Sequence, residues 1–127
     1  MFNITITVDL SDRLGQGAFI DVVPIAWLPN DTSEKAMNLL AKVGNTNPQT
    51  GEFIGVNPSS SYKAMREISK MCVKSWNLKD SDDNELPIPK LMTQEQLLEI
   101  PTYVFNKIMV AAQSDSGEIP EENGEPS

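Results

Sequence analysis

The stretch KSWNLKDSDDNELPIP is where residue types and spacing come nearest to a site that could do chemistry. Asp80, Asp82 and Asn84 occupy positions 1, 3 and 5 of a calcium-loop pattern, which binds the ion through carboxylate and amide oxygens. The pattern also requires glycine at position 6 and glutamate at position 12, where this chain has Glu85 and Leu91. Because the closing bidentate ligand is missing, we predict a solvated turn between two apolar segments rather than a metal site.

The chain contains few residues of the types that catalyse reactions. The sequence contains no histidine, which excludes serine–histidine and cysteine–histidine catalysis and most zinc sites. The carboxylates of the acidic stretch lie among turn-forming residues, without the walled cleft that shifts a catalytic pKa. The single cysteine, Cys72, lies between Met71 and Val73, which predicts a buried thiol. We therefore expect no enzyme activity, no cofactor and no catalytic or metal-binding residue.

The negative charge is concentrated at one end of the chain. The net charge is −8, yet residues 114–127 hold five acids and no base, and the other 113 residues hold thirteen acids against ten bases. We predict one small domain over residues 1–113 and an acidic, disordered tail over residues 114–127. Since the pI is near 4.4 and no basic cluster is present, we expect no nucleic-acid partner.

Neither a leader nor a membrane span is predicted. The first ten residues, MFNITITVDL, alternate apolar and polar side chains, unlike a signal peptide. No stretch approaches the roughly 18 apolar residues of a transmembrane helix. We expect a soluble intracellular protein without a membrane partner.

The N-terminal alternation predicts a strand, with apolar residues at Phe2, Ile4, Ile6, Val8 and Leu10. SDRLGQG reads as a turn, and a second strand through residues 19–23 stops near Pro24, which cannot donate to a ladder. An antiparallel β-hairpin follows. A short third strand is considered at Phe53, Ile54 and Val56, and Trp27 is predicted to be a core or staple residue rather than a ligand platform.

Helical spacing dominates the rest of the chain. The first helix should be capped by Asp31 and end at Gly44, and a second should cover about residues 60–74. Thr93 and Gln96 have capping-box spacing for a helix over Gln94–Ile100, and Pro101 should start another over Pro101–Ala112. The expected fold class is α+β: an N-terminal antiparallel β-hairpin packed on three or four short helices.

This order of elements resembles a known family. The run VKSWNLKDSDDNELPIP, followed by LLEIPTYVFNKIMVAA, is similar to tail assembly chaperones of long-tailed (siphovirus-like) bacteriophages. The similar part covers mainly residues 71–112, while the hairpin and first helix agree in pattern only. The shared features mark the fold rather than a chemical site.

The resemblance implies a non-enzymatic chaperone in the host cell cytoplasm. Such proteins bind the tape-measure protein and keep it soluble during assembly of the tail tube, so that protein is the expected partner, with the major tail protein as a second and self-association expected. Coating an apolar helical partner requires adaptable apolar surface. The candidate partner-binding residues are Trp76, Leu78, Tyr103, Phe105 and Met109, although each fits a core better than an interface.

Two other classes remain open from the sequence. A tail-completion or adaptor subunit retained in the virion would share the phage context without the chaperone role. A small acidic inhibitor or nucleic-acid mimic would display its acids across a folded surface, whereas here they gather in one turn and one tail.

Overall fold

The computed structural model describes residues 4–43, 45–46, 49, 53–54 and 58–114. It shows the α+β fold that the sequence predicts. The strands are β1 (Ile6–Asp9), β2 (Phe19–Val22), β3 (Asn45–Thr46), β4 (Phe53–Ile54) and β5 (Val73–Trp76). The α-helices are α1 (Ser11–Leu14), α2 (Asn30–Val43), α3 (Pro58–Cys72), α4 (Gln94–Glu99) and α5 (Thr102–Ala112), and short 3-10 helices cover Ile25–Trp27 and Pro89–Leu91.

The predicted hairpin forms, with β1 and β2 antiparallel and Val8 opposite Ile20. Side chains along β1 alternate between buried and exposed, because successive residues of a strand point to opposite faces. The connection was predicted to be a turn, but its first four residues form the one-turn helix α1. Gly15 and Gly17, at φ of 106° and 85°, then return the chain to β2, in backbone conformations that favour glycine.

A third strand, β5, completes the main sheet on the other side of β2. The strand order is β1-β2-β5, so β2 is central. The antiparallel β2–β5 register shifts between Asp21 and Val22. Pro24 follows the strand end as predicted, since Val23 makes the last main-chain bond there by donating to the Cys72 carbonyl at 2.8 Å.

Two details of the segment after β2 differ from the prediction. Trp27 ends a 3-10 helix and is 37% exposed, so it is not a core residue. Asp31 is not the cap of α2, because the helix already begins at Asn30 and Asp31 lies in its first turn. The Asp31 carboxylate instead accepts from the neighbouring Thr32 amide at 2.7 Å. Gly44 lies outside the described residues.

The core is built in layers from the sheet outward. Helix α5 lies against β1 and β2, α3 packs on α5, and α2 packs on α3. The α3 stripe is buried at Met65, Ile68 and Cys72, while Tyr62 at its start is exposed. The helix predicted over about residues 60–74 ends at Cys72, and the chain then becomes extended as β5. Of the three residues considered as a short strand, Phe53 and Ile54 form β4, which pairs with β3 in a separate sheet, and Val56 lies outside the described residues.

The C-terminal helices follow the predicted capping and proline signals. The Thr93 hydroxyl accepts from the Gln96 amide at 3.2 Å, and the Gln96 side chain accepts from the Thr93 amide at 2.9 Å. Pro101 is the N-cap of α5. The predicted apolar residues of α5 are buried: Val104, Phe105, Ile108, Met109 and Ala112. Most of the predicted tail, residues 115–127, lies outside the described residues.

Candidate functional site

The acidic stretch folds as the predicted turn. Lys79 and Glu85 form an antiparallel bridge, and the Leu86 amide donates to the Leu78 carbonyl at 3.0 Å. At the tip, Asp83 takes a left-handed backbone conformation with φ of 67°, which aspartate tolerates better than most residues. The stretch is therefore a tight hairpin whose ends are held together by main-chain bonds.

The Asp80 carboxylate is occupied within this turn. Its Oδ1 atom accepts from the amides of Asp82 and Asn84, both at 2.9 Å. The Asn84 amide bond is the largest cause of the lowered pKa of Asp80, because donors stabilise the ionised carboxylate. Among the described residues, no group of three histidine, cysteine, aspartate or glutamate side chains is placed to hold a metal ion.

Side chains beside the turn fix it to the sheet. Trp76 donates its indole N–H to the Leu86 carbonyl at 3.0 Å. Asn77 accepts from the Phe19 amide and donates to the Gly17 carbonyl, both at 2.9 Å. The two Asn77 bonds tie the turn to the β1–β2 hairpin across a long sequence separation, and the Trp76 bond joins β5 to the end of the turn. Trp76 therefore has a structural task that its sequence context does not reveal.

The five predicted partner-binding residues divide into two groups. Leu78, Phe105 and Met109 are buried in the core, so as placed they offer no surface to a partner. Trp76 and Tyr103 are half-buried and pack against the core from outside. The structure thus corrects the expectation that all five could contact a partner directly.

Tyr103 lies between two cations. The Arg13 guanidinium is 5.8 Å and the Lys107 ammonium 5.5 Å from the ring centroid, within cation–π range. Partial desolvation, aided by the negative charge of Asp12, raises the pKa of Tyr103, while Arg13 opposes the shift. The ring joins α1 to α5, and the neighbouring residues Leu14 and Val104 line a cleft beside the turn.

That cleft, here called the turn cleft, is a hollow of about 480 Å³ between α1, the acidic turn and the α4–α5 junction. Its lining is nearly as polar as it is apolar. The polar residues include Gln16, Asn77 and Lys79, and the apolar ones are Leu14, Ala18, Leu78, Leu86, Ile100, Pro101 and Val104. Asp80 and Asp83 lie on its rim. Leu14 is 42% exposed, which makes it the open apolar edge of the cleft. Of the predicted residues, Leu78 lines the cleft.

Other exposed apolar side chains were missed by the sequence reading. Leu98 is 58% exposed and shares a groove with Tyr62 between α3 and α4, and Met37 is 54% exposed on α2. Each lies next to a residue of the buried stripe, Leu97 or Ala36, and therefore faces away from the core. An apolar residue one step off a helical stripe is the signal that would have identified both.

The described helices include none long and apolar enough to cross a membrane. The chain matches no protein-family model, no curated protein and no solved structure.

Proposed function

We propose that this protein is a non-enzymatic tail assembly chaperone of a long-tailed bacteriophage, acting in the host cell cytoplasm. It would bind the tape-measure protein, keep it soluble while the tail tube assembles, and meet the major tail protein as the tube replaces it. The observation that supports the proposal is the turn cleft, a partly apolar hollow formed by elements of the segment that resembles the family together with α1.

The turn cleft has the properties that a helical, apolar partner needs. Its walls present apolar side chains among polar ones, and one large apolar side chain, Leu14, is left exposed at the edge. An amphipathic helix binds such a hollow by inserting side chains spaced three or four residues apart. The aspartates on the rim keep the surface hydrated when the cleft is empty.

A matched pair of leucine substitutions tests whether the turn cleft is the binding surface. Leu14→Glu places a charge at its edge, whereas Leu91→Glu alters a leucine that is 71% exposed outside it. We expect Leu14→Glu to reduce co-purification of the tape-measure protein by about tenfold, the effect of losing 1.4 kcal/mol of binding free energy. Leu91→Glu should leave it unchanged. Equal losses from both variants would contradict the assignment of the cleft.

Mass spectrometry of purified phage particles separates the proposal from its main alternative. A chaperone is released before the virion is complete, so its peptides should be absent from particles that contain tube and tape-measure peptides. Stoichiometric recovery from particles would instead identify a retained adaptor or tail-completion subunit.

A further inference from the structure

One groove of this acidic protein has a positively charged rim. The groove, here called the lysine groove, encloses about 590 Å³ between the start of α2, the end of α3 and the 3-10 helix at Pro89–Leu91. Its apolar lining includes Val23, Leu28, Met71 and Ile88, of which the last three are half-buried against the core.

Three lysines surround this apolar floor: Lys70, Lys74 and Lys90. Glu67 also lines the groove and pairs with Lys70 at 3.1 Å, which leaves a local charge of +2. Within the part of the chain that the structure describes, Lys74 and Lys90 make no ion pair. A protein of net charge −8 thus keeps two uncompensated cations beside an apolar groove.

The chain itself contains a segment of matching chemistry. Residues 118–122 read EIPEE, in which Ile119 and Pro120 are flanked by three glutamates. An apolar pair between acids is complementary to an apolar floor between lysines, since burial and charge pairing would occur together. Pro120 also restricts the conformations of the free segment, so the segment loses less conformational entropy on binding.

The chain leaves the described structure close to the lysine groove. Ser114, the last described residue, lines a small hollow together with Ser33. Thr32, the residue before Ser33, lines the lysine groove. Only the first turns of α2 separate the two, and a helix is about 10 Å across. Residues 115–118, if extended, span about 13 Å, which exceeds the width of that helix.

We propose that residues 118–122 of the acidic tail bind in the lysine groove of the same chain, with Ile119 and Pro120 on the apolar floor and the glutamates facing Lys74 and Lys90. The tether is short, so the tail meets the groove at an effective concentration in the millimolar range, and weak contacts suffice.

A nitroxide spin label on the full-length chain tests this directly. Asn123→Cys places the label just beyond the proposed segment, and Cys72 takes none because it is 1% exposed. We expect amide NMR signals of Lys70, Lys74 and Lys90 to lose intensity relative to the reduced label. Loss confined to Met37 and Gln113, near the point where the chain leaves α5, would overturn the proposal.

Two matched variants and one mixing experiment complete the test. Lys74→Glu combined with Lys90→Glu should restore the groove signals, whereas Lys63→Glu, an exposed lysine of α3 outside the groove, should not. Ile119→Ser should restore them without touching the folded part. Persistence of the loss in either groove or tail variant would refute the pairing. Signal loss in isotope-labelled chains mixed with spin-labelled, unlabelled ones would assign the tail to a second copy instead.

Discussion

Cys72 ends α3 with its thiol enclosed by the core, where burial raises its pKa to about 12. The thiolate is the reactive form of cysteine, and an apolar environment disfavours that charge. Cys72 is therefore a packing residue, as its position between Met71 and Val73 predicts. No covalent chemistry is assigned to it.

The raised pKa makes stability depend on alkaline pH. Because the folded pKa lies above the unfolded one of about 9, the contribution of the buried thiol is complete below pH 9 and is lost as the pH rises toward 12. Over three pH units this reaches roughly 4 kcal/mol. The stability advantage of the wild type over Cys72→Ala, measured by urea unfolding, should shrink across that range. A constant difference would contradict the burial of the thiol.

Asp80 organises the acidic turn through its two amide contacts, whereas Asp82 accepts no side-chain bond there. We expect Asp80→Ala to lower the melting temperature and Asp82→Ala to leave it nearly unchanged. Since the pKa of Asp80 is lowered, its stabilising effect is present above its ordinary value of 3.8 and is lost on further acidification. The two variants should therefore converge at low pH. Equal melting temperatures at pH 7 would show that the turn does not need this carboxylate.

At the scale of elements, α4 depends on its cap. Six residues are too few for an isolated helix, so the reciprocal Thr93–Gln96 bonds and the buried Leu97 must hold it. Thr93→Ala should destabilise the protein by about 1 kcal/mol in chemical denaturation. Thr102→Ala, at the first position of α5 where no cap bond is made, is the matched control and should cost less. A reversed order would refute the role of the capping box.

Helices and strands with a clear periodic or capping pattern in the sequence were predicted well. Elements that depend on contacts with distant parts of the chain were not predicted. The hairpin, α3 and the pair α4–α5 follow from alternation, helical spacing and capping residues. The four residues of α1 are too few to show a period, and β5 becomes a strand because it pairs with β2 from more than fifty residues away. The start of α2 was misplaced because several polar residues there suit a cap equally well.

The candidate partner residues show the same limit at the scale of the molecule. Apolar spacing predicts that Phe105 and Met109 face inward, but it cannot tell a core from an interface. The structure places both between α5 and its neighbours, and leaves Leu14, Met37 and Leu98 exposed instead. The packing of the layers decides which apolar residues remain exposed. No local sequence pattern contains that information.

Charge is distributed unevenly over the molecule. The acidic tail carries five of the eighteen acids in fourteen residues, and the lysine groove gathers uncompensated cations near its point of origin. The proposed partner surface, the turn cleft, lies elsewhere, between α1 and the acidic turn. The proposed binding of the tail and the proposed binding of a partner should therefore respond to different substitutions.

Solubility of the tape-measure protein on co-expression tests the central claim most directly. The partner to use is the product of the longest reading frame beside this gene, expressed alone, with this protein, and with the Leu14→Glu variant. We predict that this protein moves most of the partner into the soluble fraction and co-purifies with it in several copies, and that the variant does not. A partner that precipitates equally in all three, while this protein stays alone, would contradict the chaperone function.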